Sequence, residues 1–195
     1  MTSRSMILVA LIVFVIPTLV LTVLFYNYSH HLVQVEASAL KLEPGVVITW
    51  LRDVELKSGN STIALTVIVK TEVLRYRNGR YLVQAYLIDP HSGKVVRQAL
   101  TVLPEGFYYL PESLLGKSGF VIDNNTYRLV GLEEVSTPMG MLKAYHYVVE
   151  KGGMRADFWF IAENGIMAKA SIVMHGKNGE LKEYVTLTRI GWASS

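Results

Sequence analysis

The stretch Met6–Tyr26 (MILVALIVFVIPTLVLTVLFY) carries no charged residue over 21 positions. As a helix, at about 1.5 Å per residue, it spans roughly 31 Å, the thickness of a bilayer's hydrocarbon core. A helix buried in a small soluble domain needs no apolar run of that length on every face. The stretch therefore predicts a transmembrane helix and, with it, an organisation of the chain. Residues 1–28 are a signal-anchor, 29–45 a juxtamembrane helix or stalk, and 46–195 an extracytoplasmic β domain.

Phe25, Tyr26 and Tyr28 stand where the helix leaves the hydrocarbon, and rings with a polar edge favour that interface. Arg4 and the amino terminus put the nearer positive charge before the helix, which predicts the amino end inside and the domain outside, at the cell membrane. Ala37-Ser38-Ala39 has the form that signal peptidases cut after, so cleavage after Ala39 is the alternative. The apolar run is about twice the length of a usual signal-peptide core and ends well before that site, which favours retention. Pro17 lies mid-helix and can kink it without cancelling the span. Three N-x-S/T sequons, at Asn27, Asn60 and Asn124, agree with an external face but are also within reach of chance.

Nineteen basic residues against sixteen acidic ones, spread along the chain, do not make a nucleic-acid surface. The chain has no cysteine, which removes disulfides, thiolate catalysis and Cys-type zinc sites.

Ser29–Leu42 has Leu32, Val35, Ala39 and Leu42 at helical spacing, and Glu43-Pro44-Gly45 breaks it. From Val46 the hydrophobic period becomes twofold. In Ser61–Arg77, Ile63, Leu65, Val67, Val69 and Val73 alternate with Thr62, Thr66, Lys70 and Glu72, the pattern of a half-buried strand. Asn78-Gly79 is a favoured type I′ hairpin pair, and Pro90-His91-Ser92-Gly93 makes the next turn. Strands are expected at 46–56, 61–77, 80–89, 94–103, 126–136, 141–151, 155–162, 166–175 and 181–192. Short Gly-, Asn- and Pro-rich connections make neighbours antiparallel. The expected fold is mainly β, an antiparallel meander of about nine strands that curls into a curved sheet, half-barrel or open barrel. Between the fourth and fifth strands, Pro104–Asp123 reads as a long loop capping one end, with one helical turn at Pro111–Leu115. Its Phe107-Tyr108-Tyr109 cluster is a candidate lid.

No catalytic constellation emerges, so no catalytic, cofactor-binding or metal-binding residue is assigned. Gly116-Lys117-Ser118 has Pro111 where a phosphate-binding loop needs glycine. The five histidines, His30, His31, His91, His146 and His175, show no ligand spacing. Glu133 and Glu134 point to opposite faces of one strand, and any partner for an acid/base pair would have to come from Asp157 or Glu150. His146 reads as a hydrogen-bonded structural histidine on the face of Leu142, Ala144 and Val148. Arg75-Tyr76-Arg77-Asn78-Gly79-Arg80-Tyr81 is a basic, aromatic hairpin tip. It is either an edge kept soluble by its charges or a patch for anionic lipid or glycan.

Aromatic residues recur on the later strands, at Tyr127, Tyr145, Tyr147, Phe158, Trp159, Phe160 and Tyr184. One curved sheet cannot cover both its faces, so it closes on itself with the 104–123 segment as plug, or one face is an apolar ligand groove or a partner-binding face. Val67, Val69, Phe158 and Phe160 form the candidate hydrophobic ligand face.

Val135–Tyr145 (VSTPMGMLKAY), Ala156–Phe160 (ADFWF) and Asn164–Ala170 (NGIMAKA) together resemble the carboxyl half of the curved-sheet envelope lipoproteins, the group that includes LolA/LolB-like carriers. The resemblance covers about residues 126–175 and implies a concave apolar face for an acyl chain or lipid-like ligand. The chain lacks the lipid-anchored cysteine of such proteins, and the retained helix would take its place. The expected function is non-enzymatic binding of a lipid-like ligand or of a membrane-protein partner. The alternative is a structural or accessory subunit of an envelope complex.

Overall fold

The computed structural model describes residues 42–192, apart from 78–79 and 178. The expected transmembrane helix, the segment up to residue 41 and the interface residues Phe25, Tyr26 and Tyr28 lie outside the described residues. Among the described residues no helix is long and apolar enough to cross a membrane.

Ten strands follow one another: β1 (Val46–Ser58), β2 (Ser61–Arg77), β3 (Arg80–Ile88), β4 (Val95–Val102), β5 (Gly119–Ile122), β6 (Asn125–Thr137), β7 (Gly140–Lys151), β8 (Met154–Ile161), β9 (Met167–Gly176) and β10 (Gly179–Trp192). All belong to one antiparallel sheet ordered β4-β3-β2-β1-β10-β9-β8-β7-β6-β5. The expectation of about nine strands in a single meander is corrected on two points. Gly119–Ile122, read as loop, pairs with Asn125–Arg128 as a short strand. The sheet also consists of two meanders joined side by side, because β1 pairs with β10 from Val46↔Trp192 to Ser58↔Gly179. Local turns cannot specify that pairing, since it joins segments more than a hundred residues apart.

The sheet is open. Its two edges are β4 and β5, which are consecutive in sequence. The linker between them, residues 103–118, therefore has to travel from one edge to the other, and it does so across one face of the sheet. Leu103 N–H donates to the Tyr81 carbonyl on β3, Leu110 N–H to the Gly165 carbonyl, and Met167 N–H to the Tyr108 carbonyl. Beyond its single 3-10 turn (Glu112–Leu114), the linker reaches β5. The expected end cap is thus a strap over the inner face, and its backbone groups are satisfied by the sheet it crosses. Its own Tyr108, Tyr109 and Leu110 are buried against the sheet.

The core lies between strap and sheet. Trp50 is fully buried, donates its indole N–H to the Met167 carbonyl at 2.9 Å and packs against Tyr108 with centroids 4.7 Å apart. The large, sequence-distant partners of one tryptophan thus fix strap, β1 and β9 together. Tyr127 on β6 and Phe158 on β8 have centroids 5.8 Å apart. The two rings thus meet across the intervening β7 on the inner face.

Candidate functional site

Register assigns the inner-face residues to rows running across the strands, because directly paired residues share a face. One row passes through the buried core: Val69, Trp50 and Leu187 on β2, β1 and β10. Towards the β1–β2 turn the next row holds Val67, Arg52, Val185, Ala170, Phe158 and Tyr147. The row after that begins Leu65, Val54, Glu183, Ile172. The outermost row holds five apolar residues from adjacent strands, Ile63, Leu56, Leu181, Met174 and Met154, and continues to the exposed Lys151 on β7. All five apolar residues are half-buried. At about 4.8 Å between strands the five span roughly 19 Å.

The strap does not fill this end of the face. Phe107 packs edge-on against Phe158 at 5.7 Å, two rows inward of Met154 on β8. Of the four residues expected to form a ligand face, Val69, Phe158 and Phe160 are buried in the packed core. Val67 is half-buried at its margin, with Leu87, Phe107, Met154 and Met174. Of the expected lid residues, Phe107 packs against Phe158, Tyr108 against Trp50 and Tyr109 against Tyr81, and Tyr108 and Tyr109 are buried. The sequence reading missed Leu56, Leu181, Met174 and Met154. Their alternation was visible, but their alignment into one row depends on the β1–β10 pairing.

At the boundary between covered and open parts lies a buried ion pair. Arg52 Nη2 donates to Glu183 Oε2 at 2.9 Å, and Arg52 Nε stands 2.8 Å from Oε1. Burial works against the Arg52 charge, but Glu183 outweighs it and the guanidinium pKa is raised. Burial also pushes the neighbouring Tyr108 phenol up to about 12, so it stays neutral. The pair makes the floor of the face polar but uncharged overall.

The outer face is different. His146 lies between two carboxylates: Nδ1 is 3.0 Å from Glu133 Oε1 and Nε2 is 2.9 Å from Asp157 Oδ1. Its ring stacks on Trp159 at 4.3 Å, whose indole N–H donates to Glu133 Oε2 at 2.9 Å. Arg155 holds Asp157 and reaches Glu150. Hydrogen bonds from Trp159 and His146 hold the Glu133 carboxyl below the usual range. Burial opposes the charge of Asp157, but hydrogen bonds from Arg155 and His146 prevail and its pKa is lowered. The expectation of a hydrogen-bonded structural histidine holds, with Asp157 as the carboxylate partner that spacing alone could not place. One expectation about facing, that the aromatic residues of the later strands share the apolar face, is corrected. Trp159 and Tyr184 point outward, because each alternates with buried inner-face neighbours. His146 points outward, on the face it shares with Leu142, Ala144 and Val148 as expected, since Tyr147 beside it packs inward. Glu133 and Asp157 thus face the two ring nitrogens of His146, and among the described residues no cluster of three or more His, Asp or Glu could hold a metal ion.

No protein-family model and no curated protein sequence matches the chain. Solved structures of similar shape exist at low identity. A protein with a YmcC-like fold from Bacteroides fragilis is 14% identical with TM-score 0.45, covering 76% of this chain and 96% of its own. The MucA/MucB complex of Pseudomonas aeruginosa gives 14% and 0.38, covering 76% of this chain and 53% of that one. An outer membrane lipoprotein-sorting protein domain from Vibrio parahaemolyticus gives 9% and 0.26, covering 82% and 90%. These are low-identity likenesses of sheet shape and assign no function to this chain.

Proposed function

We propose that this is a membrane-anchored, extracytoplasmic binding protein whose inner face holds an acyl chain or comparable lipid-like ligand without chemical turnover. One observation carries the reading: five apolar side chains, Ile63, Leu56, Leu181, Met174 and Met154, form a continuous half-buried row that the strap leaves uncovered. Water against such a row is unfavourable by about 25 cal/mol for each Å² of apolar surface left exposed, and an apolar chain laid along it removes that cost. The uncharged floor at Arg52–Glu183 repels neither sign of headgroup. Resident cofactors are not required for this role.

The test is a titration of the fragment starting at Leu42 with a fluorescent polyene fatty acid. Saturable enhancement is expected, reduced at least tenfold in affinity by Leu65→Glu or Leu181→Glu and unchanged by Val121→Glu at the other sheet edge. Equal binding by all variants would contradict the reading.

A second reading rests on β4. Val95, Val96 and Leu100 are 53%, 50% and 60% exposed on this edge strand. An unpaired edge of this kind accepts a strand from another chain, which would suit an accessory subunit bound to a membrane-protein partner.

A further inference from the structure

The sheet has two ends of different character. The turns after β1, β3, β5, β7 and β9 lie at the end with the apolar row. The opposite rim carries Val46, the β2–β3 tip, the β6–β7 tip and Trp192, which pairs with Val46. Exposed apolar side chains gather on this rim. Trp192 and Met141 are each 62% exposed, Tyr76 and Met139 each 41%, and Leu74 39%. Arg75 and Arg77 are exposed beside Tyr76. Glu43, Glu134 and Glu163 are exposed towards the same rim, as are Lys143 and Arg189, and the β2–β3 tip carries its two arginines on either side of Tyr76.

The chain also enters the domain here. Gly45 N–H donates to the Val73 carbonyl at 2.8 Å, and the Tyr81 side chain is hydrogen-bonded to the Leu42 backbone. Residues 27–41, fifteen in all, separate Leu42 from the apolar run that ends at Tyr26. Fully extended they reach at most about 50 Å.

We infer that this rim docks on an anionic bilayer surface, with Arg75 and Arg77 against lipid phosphates and Tyr76 and Trp192 at headgroup depth. Three observations converge on that occupant. Tryptophan and tyrosine favour the interface, where one edge of the ring is wet and the other is apolar. Basic residues next to a short membrane tether are drawn to anionic headgroups. The entry point of the tether puts this rim, and not the opposite one, at the end of the shortest path to the membrane. The inference is independent of a ligand on the inner face but rests on residues 6–26 spanning the bilayer. In this arrangement the apolar row opens away from the bilayer surface.

The absence of native cysteine allows single spin labels to be placed on the full chain. Labels at Leu74→Cys and Met139→Cys report the rim, Ser92→Cys the opposite end and Ile16→Cys the span. The chain is reconstituted in vesicles of phosphatidylcholine and phosphatidylglycerol at about 7:3, and in phosphatidylcholine alone. The account expects the labels at 74 and 139 at headgroup depth in the anionic vesicles, with the label at 92 in water. Arg75→Glu with Arg77→Glu, or removal of phosphatidylglycerol, should return the label at 74 to water. Labels at 74 and 139 as water-accessible as that at 92, while the label at 16 lies in hydrocarbon, overturn the docking but leave the span intact. A label at 16 in water overturns the span itself. Spin–spin coupling between rims of two chains would make the rim a self-association surface and also overturn the inference.

Discussion

Arg52 and Glu183 meet in a two-point ion pair across β1 and β10, with side chains only 7% and 4% exposed. Two charges taken out of water gain little over an apolar pair of the same shape, but either one alone is a buried, uncompensated charge. Glu183→Ala should therefore destabilise the domain by about 3–5 kcal/mol, whereas Arg52→Met with Glu183→Leu should recover most of that loss. Urea unfolding of the single and double variants checks this. Equal destabilisation by both would mean that the pair itself holds β1 against β10.

The strap is anchored at Gly106. Its φ of +72° lies in the left-handed region, and a Cβ there would meet the Tyr127 hydroxyl, which donates to the Gly106 carbonyl at 2.9 Å. Gly106→Ala should cost about 1–3 kcal/mol from backbone strain, with further loss if Tyr127 is displaced. Thermal unfolding measures the cost, and hydrogen exchange at Tyr108, Leu110 and Met167 should rise first.

Much of this was legible in the sequence. Nine of the ten strands are legible as β-forming runs bounded by turn residues, and most have one wet and one buried face, although β4 is exposed from Val95 to Leu100. Ser61–Arg77 is the plainest case: Val69 and Val73 are buried, while Leu74 and Tyr76 beyond them are exposed. Gly119–Ile122 escaped detection because four residues next to glycines and prolines do not show a period. The pairing of β1 with β10 escaped for another reason. No turn connects them, so the row of Leu56 and Leu181 and the meeting of Arg52 with Glu183 follow from long-range register alone. The same limit explains the candidate site. Phe158 and Phe160 lie on the buried face, but that Phe107 packs on Phe158 and Tyr108 on Trp50 depends on the path of the strap, which no local period encodes.

The outer-face network predicts a pH response. Asp157 and Glu133 are held below their ordinary values in the folded state. Carboxylates lowered in this way contribute stability that is fully present above their unfolded pKa of roughly 4, and that is lost as pH falls through the folded values. Stability should thus fall between about pH 5 and about pH 2, and Asp157→Asn should flatten that slope while lowering stability at neutral pH. Urea midpoints across this range test the sign. An unchanged slope in the variant would remove Asp157 from the account.

The central claim concerns the uncovered row. Native mass spectrometry of the fragment starting at Leu42, purified without detergent and offered a mixture of fatty acids and phospholipids, tests it most directly. The account predicts a retained lipid-sized mass in the native chain and its loss in Leu181→Glu, with the β-sheet circular dichroism signal unchanged. A bare protein mass under all conditions, from a folded fragment, would contradict it and leave the exposed edge at β4 as the surface that explains the molecule.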